Sequence, residues 1–239
     1  MILAAFSLLA ALSSADAVAV VLNSRNAVGV RTFSEAKEIV ERDALAGKPL
    51  QQFVVGVTTD DKALAEKYLN ASREKIQNLA EKTDNPLAWY LLSIEKNDFS
   101  YLKRAADGGN VQALNALGSI ALQEALQREN VSTNGLVSIL KSSFSCFQKA
   151  AAKKDPNGYI NLGTCYLRGF GCNMDMGLAF MCFKAAADAG HPEGMDNMSA
   201  CYQFGHGVEK DSERSLYWAM RGRAARGDKA AAEWLEKGK

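Results

Sequence analysis

Five serine–lysine pairs have the spacing that nucleophilic catalysis could use. In the S-x-x-K pattern of penicillin-recognising enzymes, the lysine lies one helical turn after the serine and can help remove its hydroxyl proton. Those enzymes also carry S-D-N and K-T-G segments, and this sequence contains neither. Because the matches are scattered over separate predicted helices, we interpret them as ordinary polar helix faces. They are Ser34 with Lys37, Ser72 with Lys75, Ser93 with Lys96, Ser100 with Lys103, and Ser138 with Lys141.

Metal-binding and phosphate-binding motifs have even less support in the sequence than the S-x-x-K pattern. The two histidines, His191 and His206, fall in predicted turns, and no group of histidines, cysteines and carboxylates has the spacing of a zinc site. His206 lies between two glycines, which is typical of an exposed turn, although such a residue could also contact a partner. No nucleophile-elbow, Walker or dinucleotide motif occurs, and Gly169-Phe170-Gly171 follows no predicted strand. We therefore predict no metal, no cofactor and no enzymatic activity.

The five cysteines are placed at a regular interval. Cys165 and Cys201 are 36 residues apart, as are Cys146 and Cys182. If that interval is a structural repeat, each pair occupies equivalent helices, which pack about 8–10 Å apart. A disulfide needs Cα atoms within about 7 Å, so pairing at this interval is unfavourable. We predict that the cysteines are small buried apolar residues, with a bridge from Cys172 to a helix cysteine as the alternative.

Composition indicates a helical protein that does not bind nucleic acid. The chain has 239 residues, 48% of them hydrophobic, and only 4 prolines, which favours helix. Its formal net charge is +1, whereas a generic nucleic-acid binder carries a strong basic excess. One basic cluster stands near the end, and we interpret it as a solvated helix face. It comprises Arg221, Arg223, Arg226 and Lys229.

The first seventeen residues differ from the rest of the chain. An apolar run from Ile2 to Leu12 is followed by Ala15-Asp16-Ala17, the order found in secretory signal peptides. The run is shorter than the roughly 20 residues that span a bilayer, although no lysine or arginine precedes it. We predict a signal peptide at 1–17, a mature chain from about Val18, and export to the periplasm or beyond. A retained anchor and a misplaced start are the alternatives, and no other segment could span a membrane.

A repeat dominates the remainder of the sequence. A turn-forming residue is followed nine positions later by a small residue, with an apolar residue just before it. Such segments begin at residues 47, 84, 109, 154, 190 and 227, so several intervals are near 36 residues, as in helical solenoids. Apolar residues within them recur at three- and four-residue spacing, which indicates amphipathic helices. We predict an all-α, α/α solenoid of about five to six helix-turn-helix repeats.

Two copies show the internal plan of the repeat. Each has a first helix, a G-x-G turn at 169–171 or 205–207, and a second helix that begins near Asp175 or Asp211. The glycines can take positive φ and let the chain reverse tightly. Small residues on the first helices should allow the second helices to approach closely. They are Gly56, Ser93, Gly118, Gly163 and Ser199.

These residues resemble the Sel-one-like repeat family, relatives of the tetratricopeptide repeats. The resemblance rests on Asn161-Leu-Gly-Thr-Cys-Tyr166 with its G-x-G turn, Asp175 and Lys184-Ala-Ala, and on their equivalents one repeat later. The copy at 84 departs from the pattern because it has about 25 residues and no glycine turn. The copy at 109 lacks G-x-G and has an insertion around Arg128 to Gly135. We assign 84–239 to the repeat array.

Residues 18–83 are predicted to form an N-terminal helical cap and one degenerate repeat. Thr32 or Ser34 should cap a helix that ends at Ala46, with Gly47 after it. Thr59 or Asp60 should cap a longer helix from Asp61 to about Lys82. Terminal copies of a solenoid are usually atypical because they close the core against water.

The resemblance implies a groove lined by first-helix side chains that binds a partner peptide or protein. On this basis we predict a non-enzymatic scaffold or adaptor at the cell envelope. The asparagines among the candidate residues either bind the partner's backbone or hydrogen-bond within the array. The alternative function, implied by secreted cysteine-rich members of the same family, is a β-lactamase-like protein. The candidate partner-binding residues are Asn161, Thr164, Arg168, Asn197 and Gln203.

Overall fold

The computed structural model describes residues 30–127 and 133–237, and the predicted signal peptide at 1–17 lies outside them. The described residues contain twelve helices and no strand, so the all-α prediction is confirmed. They fall into two units, one at Arg31–Gly108 and one that contains the described residues from Gly109 onward. The helices are α1 Val30–Leu45, α2 Pro49–Thr58, α3 Lys62–Thr83, α4 Pro86–Lys96, α5 Phe99–Asp107, α6 Val111–Gln127, α7 Thr133–Ala152, α8 Pro156–Arg168, α9 Met176–Asp188, α10 Pro192–Phe204, α11 Ser212–Ala225 and α12 Lys229–Lys237.

Helix starts are encoded by a small set of residues. All 4 prolines of the chain stand at the first position of a helix, where a missing N–H costs nothing and the fixed φ suits the helix. The residue before each helix usually caps it with a side-chain oxygen. Asp155, for example, accepts a 2.7 Å hydrogen bond from the Gly158 amide. Asp175 and Asp211 accept bonds of 2.9 Å from the amides three residues on.

The first unit contains two packed helix pairs, α2 with α3 and α4 with α5. Helix α1 starts at Val30, earlier than the predicted caps Thr32 and Ser34, which lie inside it. It ends at Leu45, and Gly47 then takes a φ of 84°.

One further expectation about this unit was wrong in detail. The cap of α3 is Asp61, not Thr59 or Asp60, because its carboxylate accepts bonds of 2.9 and 3.0 Å from the amides of Ala63 and Leu64. The copy at residue 84 does form a helix pair without a glycine. Asn97 takes the left-handed conformation at φ 50°, which asparagine tolerates better than most residues, and this ends α4.

The second unit stacks three helix pairs in chain order and ends with α12. The pairs are α6 with α7, α8 with α9, and α10 with α11, and each second helix also packs on the next first helix. The predicted insertion lengthens the first pair. Helix α6 has 17 residues and α7 has 20, whereas α8, α9 and α10 each have 13. This succession of antiparallel pairs is the predicted α/α solenoid.

The two G-x-G turns have the same geometry. Gly169 and Gly205 end α8 and α10 at φ 71° and 78°, and their amides bond to the carbonyls of Cys165 and Cys201. The second glycines, Gly171 and Gly207, also have positive φ and lie against the backbone of the preceding repeat. A Cβ on either would stand 2.6 Å from a carbonyl carbon, of Leu140 or Met176 respectively. The turn therefore also forms the contact between repeats.

Close approach of the two helices is confirmed in three pairs, each at one of the predicted small residues. A Cβ on Gly163 would lie 2.7 Å from the Phe183 ring, and Gly118 and Gly56 face Phe147 and Leu69 equally closely. In the second unit, edge-to-face aromatic pairs recur at an interval of one repeat. Phe144 with Tyr166, and Phe180 with Tyr202, have ring centroids 5.5 and 5.8 Å apart. None of the described helices combines the length and apolarity that crossing a membrane requires.

Candidate functional site

Three of the predicted partner-binding residues share one face of α8. Asn161, Thr164 and Arg168 are spaced three and four residues apart, so their side chains lie along one stripe. The Thr164 hydroxyl donates a 3.0 Å bond to the carbonyl of Ile160 in its own helix. Arg168 is exposed and forms no ion pair within the described residues. The stripe thus presents a polar helix face that ends in an available cation.

Helix α10 carries the equivalent stripe one repeat later. Asn197 stands where Asn161 stands in α8, is half-buried, and its amide makes no hydrogen bond with any residue in 30–127 or 133–237. Gln203 is exposed but lies at the edge of this face, about 120° around the helix from Asn197. No hydrogen bond among the described side chains joins any two of the five candidates.

The sequence analysis missed Phe204, which occupies the position of Arg168 in the next repeat. Its side chain is 56% exposed at the end of α10, and its ring lies 5.6 Å from that of His206 in the G-x-G turn. The sequence signal that could have identified Phe204 is its 36-residue distance from Arg168, which equals the repeat interval. We use the name first-helix stripe for Asn161, Thr164, Arg168, Asn197 and Phe204.

Beside the stripe, polar side chains connect the N-termini of successive first helices. Asn115 of α6 donates a 2.7 Å bond to the carboxylate of Asp155, the cap of α8. Asn161 donates a longer bond of 3.4 Å to the same Asn115. Burial raises the pKa of Asp155 above its ordinary value, against the lowering effect of its bonds from Gly158 and Asn115. Asn161 therefore forms a hydrogen bond within the array, whereas Asn197 forms no equivalent bond with the described residues.

The next connection uses a histidine. His191 stands at the cap position of α10 but makes no capping bond, and it is only 1% exposed. Its Nε2 lies 3.2 Å from the Oδ1 of Asn157 in α8, while its Nδ1 is buried without a hydrogen-bond partner among the described residues. Burial, reinforced by the positive charge of Arg226, lowers the pKa of His191 to about 4. The ring is therefore neutral at physiological pH and serves as a packing element between two repeats.

Three of the five serines in the S-x-x-K matches form local hydrogen bonds. The Ser72 hydroxyl is fully buried and donates a 2.6 Å bond to the Tyr68 carbonyl, and Ser93 likewise donates to Tyr90. Ser100 bonds to the capping carboxylate of Asp98. Within the described ranges, no group of three or more histidine, cysteine and carboxylate side chains could hold a metal ion.

All five cysteines lie in the described part of the chain and carry thiols. Cys165 and Cys201 are fully buried in the cores of consecutive repeats, as predicted for small apolar residues, whereas Cys172 and Cys182 are half-buried. Burial raises the pKa of Cys165 to about 12 and that of Cys201 to about 11. These thiols are therefore poor nucleophiles in the folded protein.

We expect a disulfide exchange reagent to modify the Cys165 and Cys201 thiols at least about tenfold more slowly in the native protein than in denaturant. Protection comes from burial, so all five thiols of the denatured protein should react with the reagent. Free N-acetylcysteine provides the reference rate. A denatured but unreduced protein with fewer titratable thiols would contradict the reduced state and favour a disulfide such as one from Cys172 to a helix cysteine.

The recurring residues match a known repeat. The model of the Sel1 repeat family matches residues 99–110, 140–155, 156–191 and 192–219. This chain carries Sel1 repeats. The match at 156–191 coincides with the α8–α9 pair, and the match at 192–219 covers α10 and the first part of α11. The unmatched residues 111–139 include α6 and the first turns of α7. Sel1 repeats are typically protein–protein interaction scaffolds.

Solved structures with Sel1 repeats are similar to this chain. A Sel1 repeat protein from Oxalobacter formigenes is 24% identical over 53% of this chain and 90% of its own, with a TM-score of 0.46. The protein c5321, a protective antigen present in uropathogenic Escherichia coli strains that displays an SLR fold, is 20% identical with a TM-score of 0.53. That match covers 86% of this chain but 47% of c5321, and it shows the fold alone. No curated protein matches significantly.

Proposed function

We propose that this chain is a non-enzymatic scaffold that binds a partner protein along the first-helix stripe. The observation that carries the proposal is the set of unsatisfied groups in register on α8 and α10. Arg168 forms no ion pair with the described residues, Asn197 makes no hydrogen bond there, and Phe204 exposes more than half of its ring. Arginine and aromatic side chains of this kind are enriched among the residues that dominate protein–protein affinity.

The two asparagines have different parts in this proposal. Asn161 already bonds to Asn115, so its replacement would also loosen the contact between α6 and α8. Asn197 is available to a backbone amide of the partner, and Phe204 supplies apolar area beside it. Replacing Asn197 and Phe204 should therefore change the affinity without disturbing the fold, whereas replacing Asn161 would change both.

The test begins by capturing the partner from the native host and measuring its affinity for the purified chain. We expect Asn197→Ala combined with Phe204→Ala to weaken binding by about 2 kcal/mol or more, because a central aromatic residue is lost. Met181→Ala, which removes a 64% exposed apolar side chain from the second helix α9, is the matched control and should leave the affinity unchanged. Unchanged affinity in the folded double variant would refute the stripe as the binding surface.

We further propose that the scaffold acts at the cell envelope after removal of residues 1–17. Support comes from the apolar run and Ala15-Asp16-Ala17 in the sequence alone, because this segment lies outside the described residues. Mass spectrometry of the protein from its native host, with cell fractionation, tests the proposal. A retained N-terminal methionine in a cytosolic fraction would contradict it.

A further inference from the structure

A second surface, on α11, combines apolar area with one arginine that lacks an acidic partner among the described residues. Leu216 and Tyr217 are each 45% exposed. The guanidinium of Arg221 lies 5.8 Å from the Tyr217 ring centroid and 4.9 Å from that of Trp218. The two rings are themselves 5.8 Å apart at 75°, so the guanidinium lies in the corner between them. We use the name α11 patch for Leu216, Tyr217, Trp218 and Arg221.

The sequence predicted a solvated basic cluster here, but the arginines of this region differ in their partners. Arg223 pairs with Asp228 at 2.6 Å, Arg226 pairs with Asp196, and Arg214 lies 3.3 Å from Asp211. Arg221 forms no ion pair with any carboxylate in 30–127 or 133–237. Three arginines around the patch are therefore neutralised by aspartates, whereas Arg221 and the exposed Lys229 form no ion pair with the described residues.

The position of Arg221 prepares it for a carboxylate. Both aromatic rings lie within cation–π distance of the guanidinium, and its N–H donors, which form no ion pair with the described residues, can bind a carboxylate through two parallel bonds. Because the contacts with Tyr217 and Trp218 favour one position of the side chain, less conformational entropy is lost when a ligand binds. Trp218 is itself anchored, since it packs against the core cluster that contains Met198 and Tyr202.

We propose that the α11 patch is a docking site for an acidic segment of another protein, with a carboxylate on Arg221 and an adjacent aliphatic or aromatic side chain on Leu216 and Tyr217. Charge complementarity selects this occupant. An anionic membrane or a nucleic acid gains affinity from many unpaired cations, and here the neighbouring arginines already face aspartates. This surface is separate from the first-helix stripe, and the proposal does not rest on the proposed function.

The test is a selection of short random peptides displayed on phage against the full chain and two variants. Arg221→Gln removes the unpaired charge, whereas Arg223→Gln removes the same charge from the same helix but from an existing ion pair. We expect the wild type and Arg223→Gln to enrich peptides with aspartate or glutamate beside a large apolar residue. Arg221→Gln should not enrich them.

A synthetic peptide of the enriched sequence then provides the affinity by fluorescence anisotropy. Arg221→Gln should weaken its binding about tenfold or more, and Arg223→Gln less than about twofold. Circular dichroism verifies that both variants remain folded. Enrichment of non-acidic peptides, or equal losses in the two variants, would overturn the proposal. So would Arg221-dependent binding to phosphatidylserine vesicles or Arg221-dependent self-association, because each identifies a different occupant.

Discussion

Replacing Gly207 with alanine is expected to destabilise the folded protein by about 2–5 kcal/mol, the largest effect that we predict for a single methyl group. Two costs combine at this position. The backbone holds φ at 72°, which is unfavourable for an L-residue with a side chain. The added Cβ would also stand 2.6 Å from the carbonyl carbon of Met176 and 3.0 Å from the Cα of Gly177. Backbone atoms cannot rotate away as a flexible side chain can, so the repeats must separate.

Gly190→Ala separates these two costs. Gly190 has a φ of 84°, and nothing lies within 4 Å of the position that an added methyl group would occupy, so alanine there meets conformational strain alone. We expect a loss of about 1 kcal/mol for that variant. Urea unfolding followed by far-ultraviolet circular dichroism measures both. Equal losses at Gly207 and Gly190 would show that the turn does not hold the repeats together.

The glycine turns illustrate what the sequence could predict about the fold. The 36-residue interval and the G-x-G pairs predicted where the chain reverses, because positive φ is a local property of glycine. That Gly171 and Gly207 lie against the preceding repeat was not predicted, since this contact joins backbone atoms about thirty residues apart. Asn97 was missed for a related reason: asparagine in a left-handed turn has no distinctive sequence signal.

The candidate site was predictable to a similar degree. Helical spacing placed Asn161, Thr164 and Arg168 on one face, because that face follows from sequence position alone. The partners of each side chain depend on packing between repeats. Only the structure shows that Asn161 bonds to Asn115 while Asn197 has no such bond among the described residues. His191 was predicted in a turn, and its burial could not be inferred from its neighbours in the sequence.

The second large effect concerns that histidine. We expect acidification from pH 7 to about pH 4 to cost about 2–3 kcal/mol of unfolding free energy through His191 alone. The folded pKa is about 4, below the ordinary value of 6.5, so the unfolded chain takes up a proton first as the pH falls. This contribution to stability is fully present above pH 6.5 and decreases progressively toward the folded pKa.

Carboxylate groups also contribute to the pH dependence of stability, so a matched variant is needed. Burial raises the pKa of Asp155, which makes its contribution opposite in sign, whereas hydrogen bonds lower the pKa of Asp84, Asp98 and Asp228. His191→Asn leaves all of these groups in place. Asparagine also suits the cap position of α10, because the Asn110 side chain caps α6 by accepting a 2.8 Å bond from the Ala113 amide.

The decisive quantity is therefore the difference between wild type and His191→Asn in the stability lost on acidification. We expect the variant to lose about 2–3 kcal/mol less, because the buried ring with its unpaired Nδ1 is gone. His206→Asn removes the other histidine and should keep the wild-type loss, since His191 remains. Equal losses in wild type and His191→Asn would mean that the imidazolium is accommodated between α8 and α10. In that case the contact with Asn157 must open far more easily than its burial implies.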